Sequence, residues 1–92
     1  KDLIYDIERL KVICGEKEIE LTPNEGKILT VLMRNGSKVV SRTRLIRALW
    51  DDESFVDDNT LTVNVNRLRR KLKTIGLEGY IKTNKGEGYR LI

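Results

Sequence analysis

The sequence DDNTLTVNVNRLRRKLK, residues 57–73, has the periodicity of one long helix. Four aliphatic residues recur at intervals that place them on a single helical stripe. They are Leu61, Val65, Leu68 and Leu72. The opposite side holds amides, cations and one methyl-bearing residue: Asn59, Val63, Asn66, Arg67, Arg70 and Lys73. In a DNA major groove Asn can pair with adenine, Arg with guanine or phosphate, and Val can touch the thymine methyl. The stretch therefore predicts a helix that packs by one face and offers the other to DNA.

A second interpretation of this helix stays open, because a surface helix often has an apolar face and a solvated basic face. The basic side of this helix lacks the pairs of Glu and Lys, four residues apart, that stabilise solvated helices. Five cations crowd the helix and repel one another unless an anion lies nearby: Arg67, Arg69, Arg70, Lys71 and Lys73. This favours an anionic partner.

Composition limits the fold and the chemistry. The 92 residues, 39% of them hydrophobic, suffice for one domain with one modest core. No apolar run has the length of a membrane span, and no secretory signal opens the chain. Cys14 is the only cysteine and there is no histidine. We therefore expect no disulfide, metal, cofactor or membrane contact, no enzyme activity, and a cytoplasmic location.

The charge is unevenly distributed along the chain. Residues 59–92 carry eight Lys or Arg and two acidic residues, a net charge of +6. Residues 1–58 carry ten Lys or Arg and twelve acidic residues, a net charge of −2. A basic end on a nearly neutral body indicates a polyanionic partner.

The segments before this helix predict a small sheet and two further helices. Apolar and polar residues alternate within residues 3–21, which predicts short antiparallel strands, one of them including Leu10. Thr22, Pro23 and Glu25 predict a capped helix start, and Asn35-Gly36 its end. Its predicted buried stripe is Ile28, Leu29, Leu32 and Met33. Gly26 is a weak point, costing up to about 1 kcal/mol relative to Ala.

Ser41 is predicted to cap a second helix, whose free N–H groups, with Arg42, favour a phosphate. Its predicted apolar stripe is Leu45, Ile46, Leu49 and Trp50. Gly76 is predicted to end the long helix. Two strands follow, residues 80–84 and 89–92, joined by a turn at 85–88 whose glycines are assigned to the turn alone. A basic hairpin after a basic helix is the layout of a winged helix.

The order of these motifs resembles the OmpR/PhoB family of response regulators over essentially the whole chain. The similarity lies in VDDNTLTVNVNRLRRKL at 56–72, KGEGYR at 85–90, LTPNE at 21–25 and VSR at 40–42 with Leu49-Trp50. It implies an α+β fold: a winged helix-turn-helix with an N-terminal antiparallel sheet of four strands, three helices and a C-terminal hairpin wing. Residues 1–21 would form the sheet, 22–76 the three-helix core with a recognition helix at about 57–75, and 77–92 the wing.

The resemblance also implies a role and partners. The chain, 1–92, would be the winged-helix DNA-binding effector domain of a two-component response regulator. Its receiver domain, through which a sensor kinase acts, is not in this chain. Double-stranded DNA would be bound at direct repeats by a head-to-tail dimer. The loop at 51–56 would touch RNA polymerase, and the whole stretch is closest to regulators of cell-envelope or antimicrobial-peptide stress.

Carried over by position, the resemblance implies two sets of DNA-binding residues. The recognition-helix set is Asn59, Val63, Asn64, Asn66, Arg67 and Arg70. The DNA-backbone set is Arg42, Trp50, Thr83, Lys85 and Tyr89. Gly26 stands where the family has a bulky residue, which suggests a thinner core, and the asparagines suggest a preference for adenine. The alternative is a winged-helix protein–protein interaction module. Operator, signal, activation or repression, and oligomeric state are left open.

Overall fold

The structure is a computed structural model that describes residues 3–50 and 56–92. Within those residues, sheet, helices and wing follow one another along the chain. The elements are β1 (Leu3–Asp6), β2 (Lys11–Cys14), β3 (Lys17–Glu20), α1 (Pro23–Arg34), β4 (Val40–Ser41), α2 (Arg42–Leu49), α3 (Asp58–Thr74), β5 (Ile81–Asn84) and β6 (Gly88–Leu91). The predicted α+β winged helix-turn-helix is confirmed.

The N-terminal sheet is antiparallel, with the order β1-β2-β3. Its inner face is anchored by Val12, which is fully buried. The implied fourth strand is absent from the described residues, because three strands and two turns take up residues 3–20 and Thr22 already caps α1. Leu10 lies in the first turn rather than in a strand, with a positive φ of 56°.

Gly26 is required by close packing, so the expectation of a thin core there is wrong. A Cβ at this position would lie 2.5 Å from Leu10 Cδ2 and 3.0 Å from Tyr5 Oη. Tyr5 also donates a hydrogen bond to the Gly26 carbonyl (3.0 Å). The side chains of the sheet therefore fill the space that a bulkier residue would take.

The first helix begins as predicted. Thr22 and Glu25 form a reciprocal capping box at its N-terminus, and Asn35 caps its C-terminus. Met33, expected in the core, is 37% exposed, because it follows Leu32 by about 100° and falls at the margin of the buried stripe.

The second helix begins at its predicted cap, Ser41, whose hydroxyl accepts from Arg44 N (3.1 Å). Leu45 and Leu49 are buried as expected. Trp50 is 48% exposed, because it caps the C-terminus in an extended conformation and so leaves the helical stripe.

The long helix α3 matches its predicted bounds closely. Asp57 caps it by accepting from Thr60 N (2.8 Å). Its four predicted stripe residues are all at most 1% exposed. At its end Gly76 adopts a positive φ of 89°, and Leu77 N donates to Leu72 O (3.0 Å), which is the Schellman arrangement.

The wing is a sheet of three strands rather than an isolated hairpin. Besides pairing with β5, β6 pairs with β4, so that Val40 lies opposite Tyr89 and Ser41 opposite Gly88. Gly88 therefore belongs to a strand and not, as predicted, to the turn alone. A Cβ on Gly88 would lie 1.9 Å from the Val40 carbonyl oxygen, so the close approach of β4 requires glycine here.

Candidate nucleic-acid interface

The outer face of α3 presents a compact polar surface. Asn59, Asn66, Arg67 and Arg70 are exposed and Val63 is half-buried. Asn59, Val63 and Arg67 also line a shallow groove against the N-terminal turn of α1, formed there by Thr22, Pro23 and Asn24. Five of the six side chains expected on this face therefore lie on it.

Asn64 is the exception. It is 6% exposed, and its Nδ2 donates to Thr60 O (2.8 Å) inside the helix. Its position explains the burial, because it follows Leu61 by three residues and precedes Leu68 by four, so it shares their side of the helix. Asn64 lines the same groove as Asn59, Val63 and Arg67, but helical geometry places it on the buried side of that groove.

The cations of α3 fall into two groups. Lys71 donates to Glu25 Oε1 (2.7 Å) and to Glu20 O (2.9 Å), and Lys73 lies 3.7 Å from Glu78. Among the residues that the structure describes, the guanidinium groups of Arg67 and Arg70 have neither a hydrogen bond nor an ion pair. The mutual repulsion expected of all five cations is thus reduced, and two arginines keep their full bonding capacity.

Arg42 links α2 to the start of α3 and to the wing. Its Nε donates to Asp58 Oδ1 (3.1 Å), Nη1 to Tyr89 Oη (2.8 Å), and Nη2 to Asp58 O and Thr62 Oγ1 (2.8 Å each). Burial lowers the pKa of Arg42, but the bonds to Asp58 and Tyr89 outweigh it and raise the pKa. Four of its five N–H donors are used, which leaves one for a phosphate.

Tyr89, expected to contact the DNA backbone, is buried at 4% exposure. The guanidinium carbons of Arg42 and Arg69 lie 5.7 and 5.4 Å from the centre of its ring, within the range of cation–π attraction. Tyr89 therefore holds two arginines in place, and its hydroxyl oxygen accepts a hydrogen bond from one of them, Arg42.

Arg69 is a central residue of the interface that the sequence did not single out. Its Nε donates to Ile81 O (3.3 Å), Nη1 to Asn66 Oδ1 (3.3 Å), and Nη2 to Thr83 Oγ1. The side chain thereby ties α3 to β5. No sequence signal marks it, because the position of β5 beside α3 is a property of the tertiary fold.

The other residues expected to contact the DNA backbone are accessible. Thr83 accepts from Arg69 and keeps its own hydroxyl hydrogen for a phosphate. Lys85 lies exposed in the wing turn. Trp50 is half-exposed, and its Nε1 donates to Val56 O (3.3 Å).

The loop expected to contact RNA polymerase falls on residues 51–55, which lie outside the described residues, and on Val56, which is 8% exposed. Over residues 3–50 and 56–92, no group of three or more His, Cys, Asp or Glu is placed to hold a metal ion. No helix in those same ranges is long and apolar enough to cross a membrane.

Comparison with known proteins gives a consistent result. Residues 16–91 match the family described as "Transcriptional regulatory protein, C terminal". The chain is 47% identical to response regulator protein GraR of Staphylococcus aureus (strain MRSA252) over 89 residues, which is 97% of this chain and 40% of that protein. It is 54% identical to sensory transduction protein BceR of Bacillus subtilis (strain 168) over 84 residues, 91% of this chain and 36% of BceR. The chain thus spans well under half the length of these relatives.

Solved structures share the fold. The C-terminal domain of the nisin resistance regulator NsrR, a lantibiotic response regulator, superimposes with a TM-score of 0.85 at 40% identity, covering 97% of this chain and 89% of that one. The DNA-binding domain of the response regulator AdeR was solved in complex with an intercistronic region. It superimposes with a TM-score of 0.84 at 26% identity, covering 99% of this chain and 94% of that one.

Proposed function

This chain belongs to the family of C-terminal, DNA-binding domains of response regulators, and we propose that it recognises specific duplex sites through the exposed face of α3. Asn59, Val63, Asn66, Arg67 and Arg70 would contact base edges and nearby phosphates in the major groove. Lys85 and Thr83 of the wing, with Trp50 and the remaining donor of Arg42, would contact the sugar-phosphate backbone.

The observation that carries this proposal is the division of the cations on α3. Arg69 and Lys71 are bound to other parts of the fold, whereas Arg67 and Arg70 are exposed and have no partner in the described part of the chain. Two unpaired guanidinium groups beside exposed amides suit a DNA groove, since Arg can bond guanine or phosphate bidentately.

We further propose that the domain works as the output end of a longer regulator, with a receiver domain before Lys1 that a sensor kinase phosphorylates. The chain length relative to GraR and BceR supports this. Family resemblance supports a head-to-tail dimer on direct repeats and a contact between the loop at 51–56 and RNA polymerase. Such a regulator would act in the cytoplasm, where its DNA lies.

The signal class is a narrower proposal. The solved domain of NsrR is described as that of a nisin resistance and lantibiotic response regulator. Its 40% identity to this chain supports a role in cell-envelope or antimicrobial-peptide stress.

The test is selection of binding sites from a pool of random duplexes at near-physiological salt, followed by sequencing. We expect an enriched motif, repeated in one orientation about one helical turn apart. Retention of DNA without enrichment would overturn base-specific recognition by α3. No retention would overturn DNA binding and favour the protein-interaction alternative. Arg67→Ala with Arg70→Ala is the matched variant, and it should lose the motif while keeping the wild-type thermal unfolding midpoint.

A further inference from the structure

An open apolar groove runs along the side of α1 that faces away from the core. Ile28, Leu29 and Leu32 of α1 are fully buried, and Lys27 and Arg34 lie on the opposite side of the same helix. The groove lies between that side, the turn after β1 and the end of α2. Its apolar lining includes Ile7, Leu10, Pro23, Val31 and Ala48. No residue expected to contact DNA lines it, so the groove would stay open while α3 is bound to DNA.

The floor of the groove is aliphatic, and its polar atoms are bonded to one another. Tyr5 Oη donates to Gly26 O (3.0 Å) and accepts from Thr30 Oγ1 (3.3 Å). Beside them Ile7 is 55% exposed and Val31 is only half-buried. An exposed apolar surface with a polar rim is typical of an interaction site.

Two unpaired cations flank this apolar surface, and the described residues that line it include no carboxylate. Lys27 is half-buried and Arg34 is exposed, and neither side chain has a hydrogen bond or an ion pair within the described ranges. Seven residues, or two helical turns, separate them by about 10 Å along α1. Val31 lies between them on the same line of the helix. The groove is therefore complementary to an apolar surface that carries two negative charges about 10 Å apart.

A helix fits this arrangement better than an extended segment does. The backbone N–H and C=O groups of an extended segment would need partners once buried, but the Gly26 carbonyl in the floor already accepts from Tyr5. A helix bonds its own backbone groups. Two carboxylates seven residues apart then lie about 10 Å apart on one face, with aliphatic side chains three and four residues after the first filling the space between them.

A second copy of this chain supplies no such helix from the residues that the structure describes. The acidic residues of the described helices are Glu25 in α1 and Asp58 in α3, and α2 has none. Glu25 is buried, so none of these helices presents two carboxylates seven residues apart. The complementary helix therefore belongs to a different protein.

We propose that this groove is a docking site for an acidic amphipathic helix of a protein partner. Its two carboxylates bind Lys27 and Arg34, and its aliphatic side chains pack on Ile7 and Val31. The proposal goes beyond DNA recognition and does not depend on it, because the groove includes none of the residues expected to contact DNA. A domain with both surfaces can hold DNA and a protein at the same time.

The test is a selection from a displayed library of helical peptides, randomised on one face, at near-physiological salt and without DNA. The wild type is compared with Lys27→Glu/Arg34→Glu and with Lys38→Glu/Arg47→Glu. Lys38 and Arg47 are exposed and do not line the groove, so the second double variant is a control with the same change in net charge. Thermal unfolding verifies that all three proteins are folded.

We expect the wild type and the control to enrich Asp or Glu at two positions seven residues apart, with aliphatic residues between them. Lys27→Glu/Arg34→Glu should enrich Lys or Arg at those two positions instead, because the charges that flank its groove are reversed. A purely apolar contact would enrich the same peptides on all three proteins.

A second measurement locates the binding site. An enriched peptide is titrated onto isotopically labelled wild-type chain, and the changes in amide chemical shift should centre on Ile7, Val31 and Arg34. Replacing both acidic residues of the peptide by Gln should weaken its binding to the wild type about fivefold. The same replacement should have little effect on binding to Lys27→Gln/Arg34→Gln.

Several results would overturn the proposal: no enriched peptide, enrichment without the acidic pair, the same peptides on the charge-reversed variant, or shifts centred on the outer face of α3. Shifts of the groove residues on raising the concentration of the chain alone would make a second copy the occupant and would equally overturn it. None of these measurements uses DNA, so this inference and the proposed function fail separately.

Discussion

The ammonium group of Lys71 lies 2.7 Å from Glu25 Oε1, although the Glu25 side chain is only 1% exposed. Lys71 also donates to Glu20 O at the end of β3. Because Glu25 belongs to the capping box of α1, one lysine joins α3 to both α1 and the N-terminal sheet. One of the cations of α3 thus has a structural role.

Lys71→Met should destabilise the domain by about 1–3 kcal/mol, because it keeps the aliphatic stem but leaves the Glu25 carboxylate buried without a cation. Urea unfolding at pH 7 measures this. The control is a double-mutant cycle with Glu25→Gln, in which the double variant should be more stable than the sum of the single costs predicts. Strict additivity would show that the pair contributes no coupling.

Gly88→Ala should cost about 3 kcal/mol or more, since its Cβ would collide with the Val40 carbonyl and force β4 away from β6. Gly86→Ala is the comparison. Gly86 has a positive φ of 77° but nothing within 4 Å of an added Cβ, so it should cost only about 1–2 kcal/mol. Both glycines have a positive φ, 154° at Gly88 and 77° at Gly86, so thermal unfolding of the two variants isolates the added cost of the collision with β4, and equal costs would contradict the collision.

Asp57 should make stability depend on pH in the acid range. The backbone and side-chain hydrogen bonds from Thr60 lower the pKa of Asp57 in the folded protein. A lowered folded pKa gives stability that is fully present above the unfolded value of about 3.9 and is lost as pH falls through the folded pKa. Asp57→Asn keeps an acceptor at the cap but does not titrate there. The stability difference between wild type and Asp57→Asn should therefore shrink as pH falls below about 4, and a gap that is constant with pH would refute this.

Arg67→Ala and Lys85→Ala should affect DNA binding differently. If Arg67 contacts a base, its loss costs about 1–3 kcal/mol on the selected site and much less on scrambled DNA. Lys85→Ala should weaken binding to both sequences alike and lower the slope of log affinity against log salt by about one. Titrations of both duplexes at several salt concentrations test this. Equal losses on both sequences for Arg67→Ala would assign Arg67 to the backbone, and an unchanged slope would remove Lys85 from it.

The features predicted correctly from the sequence depend on neighbours in the chain. The stripe from Leu61 to Leu72 follows from helical periodicity, the capping box of Thr22 and Glu25 from a spacing of three, and the end at Gly76 from its conformational freedom. Asn64 shows that the same periodicity, applied to every residue of α3, would also have placed that side chain on the buried face.

The features that the sequence did not reveal depend on distant segments. In the sequence Gly26 is a destabilising residue inside a helix, whereas in the fold Leu10 and Tyr5 occupy the space that a larger side chain would need. Gly88 appeared to be a turn residue because its pairing with Ser41 is invisible along the chain. In the sequence Arg69 is one basic residue among five, since its partners Ile81 and Thr83 approach α3 only in the folded protein.

The pairing of β4 with β6 constrains the order in which the domain can form. The strand that precedes α2 finds its partner only in residues 88–91, and closing so long a loop is entropically costly and slow. During synthesis, Tyr89 reaches its place beside Arg42 and Arg69 only after β6 has left the ribosome. A nascent chain can therefore form its helices early, but it completes the proposed DNA-binding surface only once β6 has been made and has paired with β4.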